Sequence, residues 1–328
     1  MEEEENKIFE NRIDLTNLKN DMELVKSEIQ KIIVGQNNML DLLIVALLSN
    51  GHVLIEGVPG VAKTLTAKLL AQTLKTDFSR IQFTPDLMPS DVLGTTVFNF
   101  KTSEFDYKKG PIYSNIVLID EINRAPAKTQ AALFEVMEER QITMEGETFK
   151  MDSPFIVLAT QNPVEQEGTY KLPEAQLDRF IFKILVDYPT LDEEVQIINT
   201  HHQRNSVIDV KSIKSILTPT KIKKYQKQVG EVRVEENLIR YIAQIVNATR
   251  ENRDLYLGAS PRASLAIMNG AKSIAAMSGR DFITPEDIKY MAVPVMRHRI
   301  ILTPEREMEG LGADQIITQM IDALEVPR

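Results

Sequence analysis

Lys63 and Thr64 close the segment Gly57-Val58-Pro59-Gly60-Val61-Ala62-Lys63-Thr64, and Asp120 and Glu121 close the apolar run 116–119. Glycine and proline ahead of a lysine and a hydroxyl make a tight loop whose successive backbone N–H groups converge on one anion. An apolar run at 52–55 precedes this loop, and a helix-favouring stretch, 65–74, follows it from Leu65, so the order is strand, loop, helix. In that setting Lys63 reaches the β- and γ-phosphates of a nucleotide, and the Thr64 hydroxyl holds Mg²⁺. Asp120, at a strand end, would share the same ion, while Glu121 would orient and deprotonate an attacking water. Together the two segments predict binding and hydrolysis of ATP.

Ala62 stands where the usual phosphate loop has glycine. Taken alone, the loop also reads as a plain turn. Asp120-Glu121, taken alone, also reads as a helix-capping or solvated pair. A strand ending in two carboxylates downstream of such a loop favours the nucleotide site.

The chain's 328 residues allow one large domain and a smaller one, each with its own core. There are no cysteines, which excludes disulfides, thiol catalysis and thiolate metal sites and fits a reducing, cytoplasmic setting. The four histidines show no metal-ligand spacing, and the adjacent His201 and His202 read as solvated. A net charge of −9 and the acidic stretch 1–5 argue against a nucleic-acid partner. The start lacks a secretory signature, and the most apolar stretch, 39–48, contains Asp41 and is too short to span a bilayer. No membrane insertion is expected.

Leu15, Leu18, Met22, Val25, Ile29 and Ile32 recur at helical steps, which predicts an N-terminal amphipathic helix (1–33) packed on the main domain rather than a coiled-coil seam. Strand-like runs at 52–56, 80–84, 115–119, 155–160 and 182–186 are interleaved with helical runs at 65–74 and 127–140. That alternation predicts a parallel sheet with helices on its faces. Two stretches read as hairpins: 94–107, with Val97, Phe98, Phe100, Phe105 and Tyr107, and 141–151, with a turn at Glu145-Gly146. Beyond Asp187-Tyr188-Pro189 only helical periodicity remains. The predicted domains are a nucleotide-binding core at 34–190 and an all-helical domain at 191–328.

Longer segments carry a family resemblance. Arg80-Ile-Gln-Phe-Thr-Pro-Asp-Leu-Met-Pro-Ser-Asp-Val-Leu-Gly94 and Asp120-Glu-Ile-Asn-Arg-Ala-Pro-Ala-Lys-Thr-Gln-Ala-Ala132 resemble MoxR-type AAA+ ATPases. So do Ala159-Thr-Gln-Asn-Pro163 and Leu172-Pro-Glu-Ala-Gln-Leu-Asp-Arg-Phe180, and the likeness runs from about 33 to at least 299. Gly-Val-Pro-Gly-Val-Ala-Lys-Thr is itself the family's version of the phosphate loop. The resemblance implies a P-loop αβα core with five parallel strands ordered 5-1-4-3-2, inserted β-hairpins and a helical lid. It also implies a homo-oligomeric ring, commonly hexameric, with ATP at each subunit interface.

By the same resemblance Val34, Gly35 and Gln36 line the adenine, and Asn162 is the sensor 1 residue that helps place the attacking water. Arg179 is implied as an arginine finger reaching the neighbour's nucleotide. Arg124 is the runner-up, and a surface ion pair with Asp178 or Glu174 is the plainer reading of Arg179. Arg262, in Gly258-Ala-Ser-Pro261-Arg262, resembles sensor 2 at the start of a lid helix. The hairpins would face the ring pore or its rim, or else cap sheet edges. Relatives of this type are linked to von Willebrand factor A domain proteins and to metal insertion or maturation of complexes. The implied activity is therefore MgATP-driven remodelling of a protein client. The alternative is an ATP-gated assembly switch with negligible turnover alone; a DNA-working ring is disfavoured by the acidity and the lack of a basic arm.

Overall fold

In the computed structural model, which describes residues 12–144, 146–163, 169–203 and 210–327, nine strands precede residue 190. They are β1 (Val53–Gly57), β2 (Phe78–Gln82), β3 (Gly94–Asn99), β4 (Glu104–Lys109), β5 (Ile116–Asp120), β6 (Gln141–Met144), β7 (Glu147–Lys150), β8 (Ile156–Gln161) and β9 (Phe182–Val186). Five of them form one sheet in the order β2-β5-β8-β1-β9, every neighbouring pair parallel. Read from β9, this is the 5-1-4-3-2 order that the resemblance implies. Residues 116–119 are fully buried, as expected of a central parallel strand covered on both faces. The first strand after the loop, β2, lies at 78–82 rather than 80–84; beyond it Phe83 N still donates to Asp120 O at 2.9 Å.

Helices α1 (Thr16–Gln30), α2 (Asn37–Leu48), α3 (Lys63–Thr73), α4 (Pro89–Leu93), α5 (Ala127–Glu139), α6 (Glu174–Leu177) and α7 (Leu191–Gln203) accompany these strands. Leu133, Phe134 and Met137 of α5 are buried with Val117, Ile119, Val157 and Phe180 in one apolar cluster. Each such side chain contributes about 1.5–3 kcal/mol by leaving water. Both expected hairpins are present as antiparallel pairs, β3 with β4 and β6 with β7. Glu145 of the expected second turn, and residues 1–11 of the expected N-terminal segment, lie outside the described residues.

The remaining elements are α8 (Pro219–Gly230), α9 (Glu236–Glu251), β10 (Leu255–Leu257), α10 (Pro261–Met277), α11 (Pro285–Met296), β11 (Ile301–Leu302), α12 (Pro304–Met308) and α13 (Ala313–Asp322). On α9, Leu238, Tyr241, Ile242, Ile245, Val246 and Thr249 are buried, the spacing of one helix face. Gly270 on α10 lets Met291 of α11 approach, since a Cβ there would lie 2.6 Å from its Cε. Among the described residues this part is helical apart from an isolated bridge between Arg233 and Phe282 and the antiparallel ribbon β10–β11, which helical periodicity alone does not predict.

The chain divides into two compact units, residues 25–220 and residues 1–24 with 221–328. The expected boundaries at 33/34 and 190/191 do not coincide with this division, for reasons visible in the hydrogen bonds. Gln72 Nε2 donates to the carbonyls of Val210 and Ile213, and Ile216 N donates to Thr73 O, which ties 210–220 to the sheet-bearing unit. Lys26 pairs with Asp41 at 2.7 Å in the same unit. Asp21, by contrast, is held by Lys221 at 2.5 Å and by the Tyr225 hydroxyl in the helical unit.

Candidate nucleotide site

The loop between β1 and α3 bends through left-handed backbone at Gly60 (φ 89°) and Ala62 (φ 60°). A Cβ on Gly60 would meet nothing within 4 Å, so this side of the loop is open. Ala62 accepts a conformation that costs a non-glycine residue about 1–2 kcal/mol. It is also the N-cap of α3 and supplies no side-chain hydrogen bond, so the first N–H groups of that helix keep no side-chain partner at their cap. An uncapped helix N-terminus behind a bent loop fits a phosphate group. Lys63, the first helical residue, turns its Nζ back to donate to the carbonyl of Gly57. Partial burial pulls its ammonium below the usual lysine range, against the opposing pull of Asp120, Glu121 and Glu56.

Across the cleft, β5 delivers Asp120, and the chain then turns through left-handed backbone at Glu121 (φ 58°), separating two adjacent carboxylates. Thr160, at the end of β8, sits between them: its hydroxyl donates to Asp120 Oδ1 at 3.2 Å and accepts from Glu121 N at 3.0 Å. Arg80 Nε donates to Asp120 Oδ2 at 2.5 Å. Glu121 Oε2 accepts from Gln82 Nε2 at 2.9 Å and faces Arg124 Nε at 3.0 Å.

Loop residues 59–65, including Lys63 and Thr64, converge with Asp120, Glu121 and Asn162 on one cleft of about 360 Å³. It lies at the C-terminal ends of the parallel strands, where open α/β sheets bind ligands. Gly57 and Val58 precede the cleft, Gly57 serving as the acceptor of Lys63. Val34, Gly35 and Gln36 do not line it. They pack elsewhere in the same unit: Gln36 Nε2 donates to Asp187 O at 3.0 Å, and a Cβ on Gly35 would lie 2.3 Å from the Glu193 carboxylate.

Arg179 is also outside the cleft, in a separate cavity of about 350 Å³ beside α5, where its Nε faces Glu138 Oε2 at 3.7 Å. Its partner is thus neither Asp178 nor Glu174, the pairs the plainer reading considered. Arg262 belongs to the helical unit, in the first turn of α10, where Ser260 Oγ caps its backbone N–H at 3.2 Å. A larger groove of about 1190 Å³ lies in that unit, lined by α9, the start of α10 and residues 324–327, and none of the site residues expected from the sequence lines it.

Sequence reasoning gave no role to Arg80, Gln82 and Thr160. The available signal is only that they are polar residues on the two strands flanking β5, with Gln82 in register with Asp120. Among the described residues no group of three or more His, Cys, Asp or Glu is placed to hold a metal. Thr64 and Asp120 are two hard oxygen donors, a set that suits a cation carried largely by substrate phosphate and water.

Residues 52–182 match the ATPase family associated with various cellular activities (AAA), and residues 247–320 match the AAA lid domain. The fold and cleft define an AAA+ ATPase. The chain is 44% identical to the Bacillus subtilis protein YeaC, covering 91% of this chain and 92% of that one. It is likewise 44% identical to Chaperone MoxR1 of Mycobacterium tuberculosis, covering 92% and 81%. A crystal structure from Cytophaga hutchinsonii, of a protein described as an ATPase, superposes with a TM-score of 0.88 at 41% identity, covering 96% and 97%. The chain belongs to the MoxR family of AAA+ ATPases.

Proposed function

We propose that this chain is the subunit of a homo-oligomeric ring, hexameric by family analogy, that hydrolyses MgATP to remodel a protein client in the cytoplasm. The observation that carries the reading is the convergence of Lys63, Thr64, Asp120, Glu121 and Asn162 on one open cleft before an uncapped helix. Lys63 holds the β- and γ-phosphates, and Thr64 with Asp120 holds Mg²⁺, which when bound neutralises phosphate charge. Glu121 takes a proton from water oriented by Asn162. The water oxygen bonds to the γ-phosphorus as the bond to the β–γ bridging oxygen breaks, and ADP leaves with that electron pair.

Val34, Gly35 and Gln36, although outside the lining of that cleft, are assigned to the adenine by the family resemblance. Arg179 from the adjoining subunit steadies charge on the transferred group, which makes turnover depend on assembly. Arg262 brings the helical unit under nucleotide control. The name of Chaperone MoxR1 supports a chaperone-like role. A von Willebrand factor A domain protein as partner, and maturation or metal insertion as the task, are the family-level part of the reading.

The test is Glu121→Gln, which keeps the hydrogen-bond partners of the side chain and removes the base. ATP binding should persist while turnover falls roughly 10²–10⁴-fold, the usual scale of a lost general base. Wild-type turnover in this variant would remove Glu121 from the role.

A further inference from the structure

Arg80 is the middle residue of β2, and its guanidinium is turned onto the carboxylate assigned to a cation above. The Nε donates to Asp120 Oδ2 at 2.5 Å. The Asp120 side chain is only 10% exposed, whereas that of Arg80 is 53% exposed. The other Asp120 oxygen accepts from Thr160, so both oxygens are engaged by the chain's own donors. A second guanidinium nitrogen donates to Gln82 Oε1 at 3.3 Å, which steadies the arginine over the strand end. β2 is the outer strand of the sheet on this side, leaving Arg80 room to swing away.

A guanidinium on a nearly buried carboxylate neutralises it and occupies lone pairs that a metal ion needs. Two cationic centres on one carboxylate oxygen also repel each other at short range. Asp120 therefore serves one or the other.

We infer that Arg80 is a positioning residue that competes with the divalent cation for Asp120, and so sets the Mg²⁺ concentration at which nucleotide binding tightens. This rests on the reading of Asp120 as a cation ligand. Without a divalent cation, Arg80 holds the carboxylate charge-balanced and in place. When Asp120 turns to the cation, Arg80 swings toward solvent.

The experiment is a Mg²⁺ titration of the full-length protein in the presence of a fluorescent ADP analogue, read as nucleotide affinity rather than turnover. Arg80→Gln keeps a donor of similar reach and removes the charge; Arg80→Met removes both. In each, the half-saturating Mg²⁺ concentration should fall roughly five- to tenfold, the scale of a half-exposed charge-assisted hydrogen bond. Affinity in EDTA should stay at the wild-type value, and Arg80→Lys should stay near the wild-type Mg²⁺ requirement. An unchanged or raised requirement in the charge-free variants overturns the inference. Asp120→Asn separates the two claims. If it keeps the wild-type Mg²⁺ dependence, Asp120 is not the ligand; if it loses that dependence while Arg80→Gln behaves as wild type, only the competition fails.

Discussion

The ammonium of Lys63 donates to the carbonyl of Gly57, so the phosphate loop is closed on itself by its own lysine. Burial has already weakened the hold of Lys63 on its proton, and three carboxylates counteract that loss. A phosphate entering the loop replaces a neutral carbonyl with an anion as partner. The exchange strengthens the interaction and restores the ammonium's usual basicity.

Lys63→Ala should therefore lose nucleotide affinity by roughly 10- to 100-fold, the scale of a charged hydrogen bond of about 1.5–3 kcal/mol. Stability should change little, because the lost contact is a single partly exposed one. Calorimetric titration with ATP checks the first statement and thermal melting the second. Wild-type affinity in Lys63→Ala would contradict the assignment of the loop.

Arg179 and Arg124 offer a sharper contrast. Arg124 faces Glu121 of its own chain at 3.0 Å, whereas Arg179 lies outside the cleft beside Glu138. Arg179→Ala should bind ATP normally yet hydrolyse it poorly. Mixing it with Lys63→Ala subunits should restore part of the turnover, because each supplies what the other lacks. If mixed rings form and only Arg124→Ala behaves this way, the finger is Arg124.

Burial depresses the pKa of His52 to about 3, helped by the nearby charge of Arg140. Its Nδ1 accepts from Val157 N at 2.9 Å, so Nε2 carries the proton and donates to Met137 O at 3.0 Å. The unfolded chain protonates this ring near pH 6.5 and the folded chain does not. Its stabilising contribution is complete above about pH 6.5 and is lost as pH falls from there toward 3, by about 1.4 kcal/mol per pH unit. His52→Gln keeps an acceptor and a donor without the titration. Urea denaturation between about pH 6.5 and pH 5 should show a shallower pH slope for the variant. Equal slopes would contradict the neutral buried ring.

Chemistry carried by contiguous residues was legible in the sequence, and chemistry that depends on register was not. Lys63, Thr64, Asp120 and Glu121 announce themselves through loop composition and strand ends, and the cleft brings them together. Arg80, Gln82 and Thr160 take their places only once β2 and β8 pair with β5, a tertiary fact no local pattern encodes. Both hairpins were legible because their strands meet across short turns. The ribbon β10–β11 was not, since Leu255 pairs with Leu302 across nearly fifty residues and neither strand is long enough to alternate. The unit boundary near Thr220 escaped for a similar reason, resting on Gln72 reaching Val210 and Ile213.

The most direct test of the account is ATP turnover as a function of protein concentration, with mass measured by light scattering on the same samples. Specific activity should rise as the oligomer forms and should reach a plateau when assembly is complete, if Arg179 acts on the neighbour's nucleotide as proposed. Constant specific activity from monomer to oligomer would contradict a site completed by an adjoining subunit.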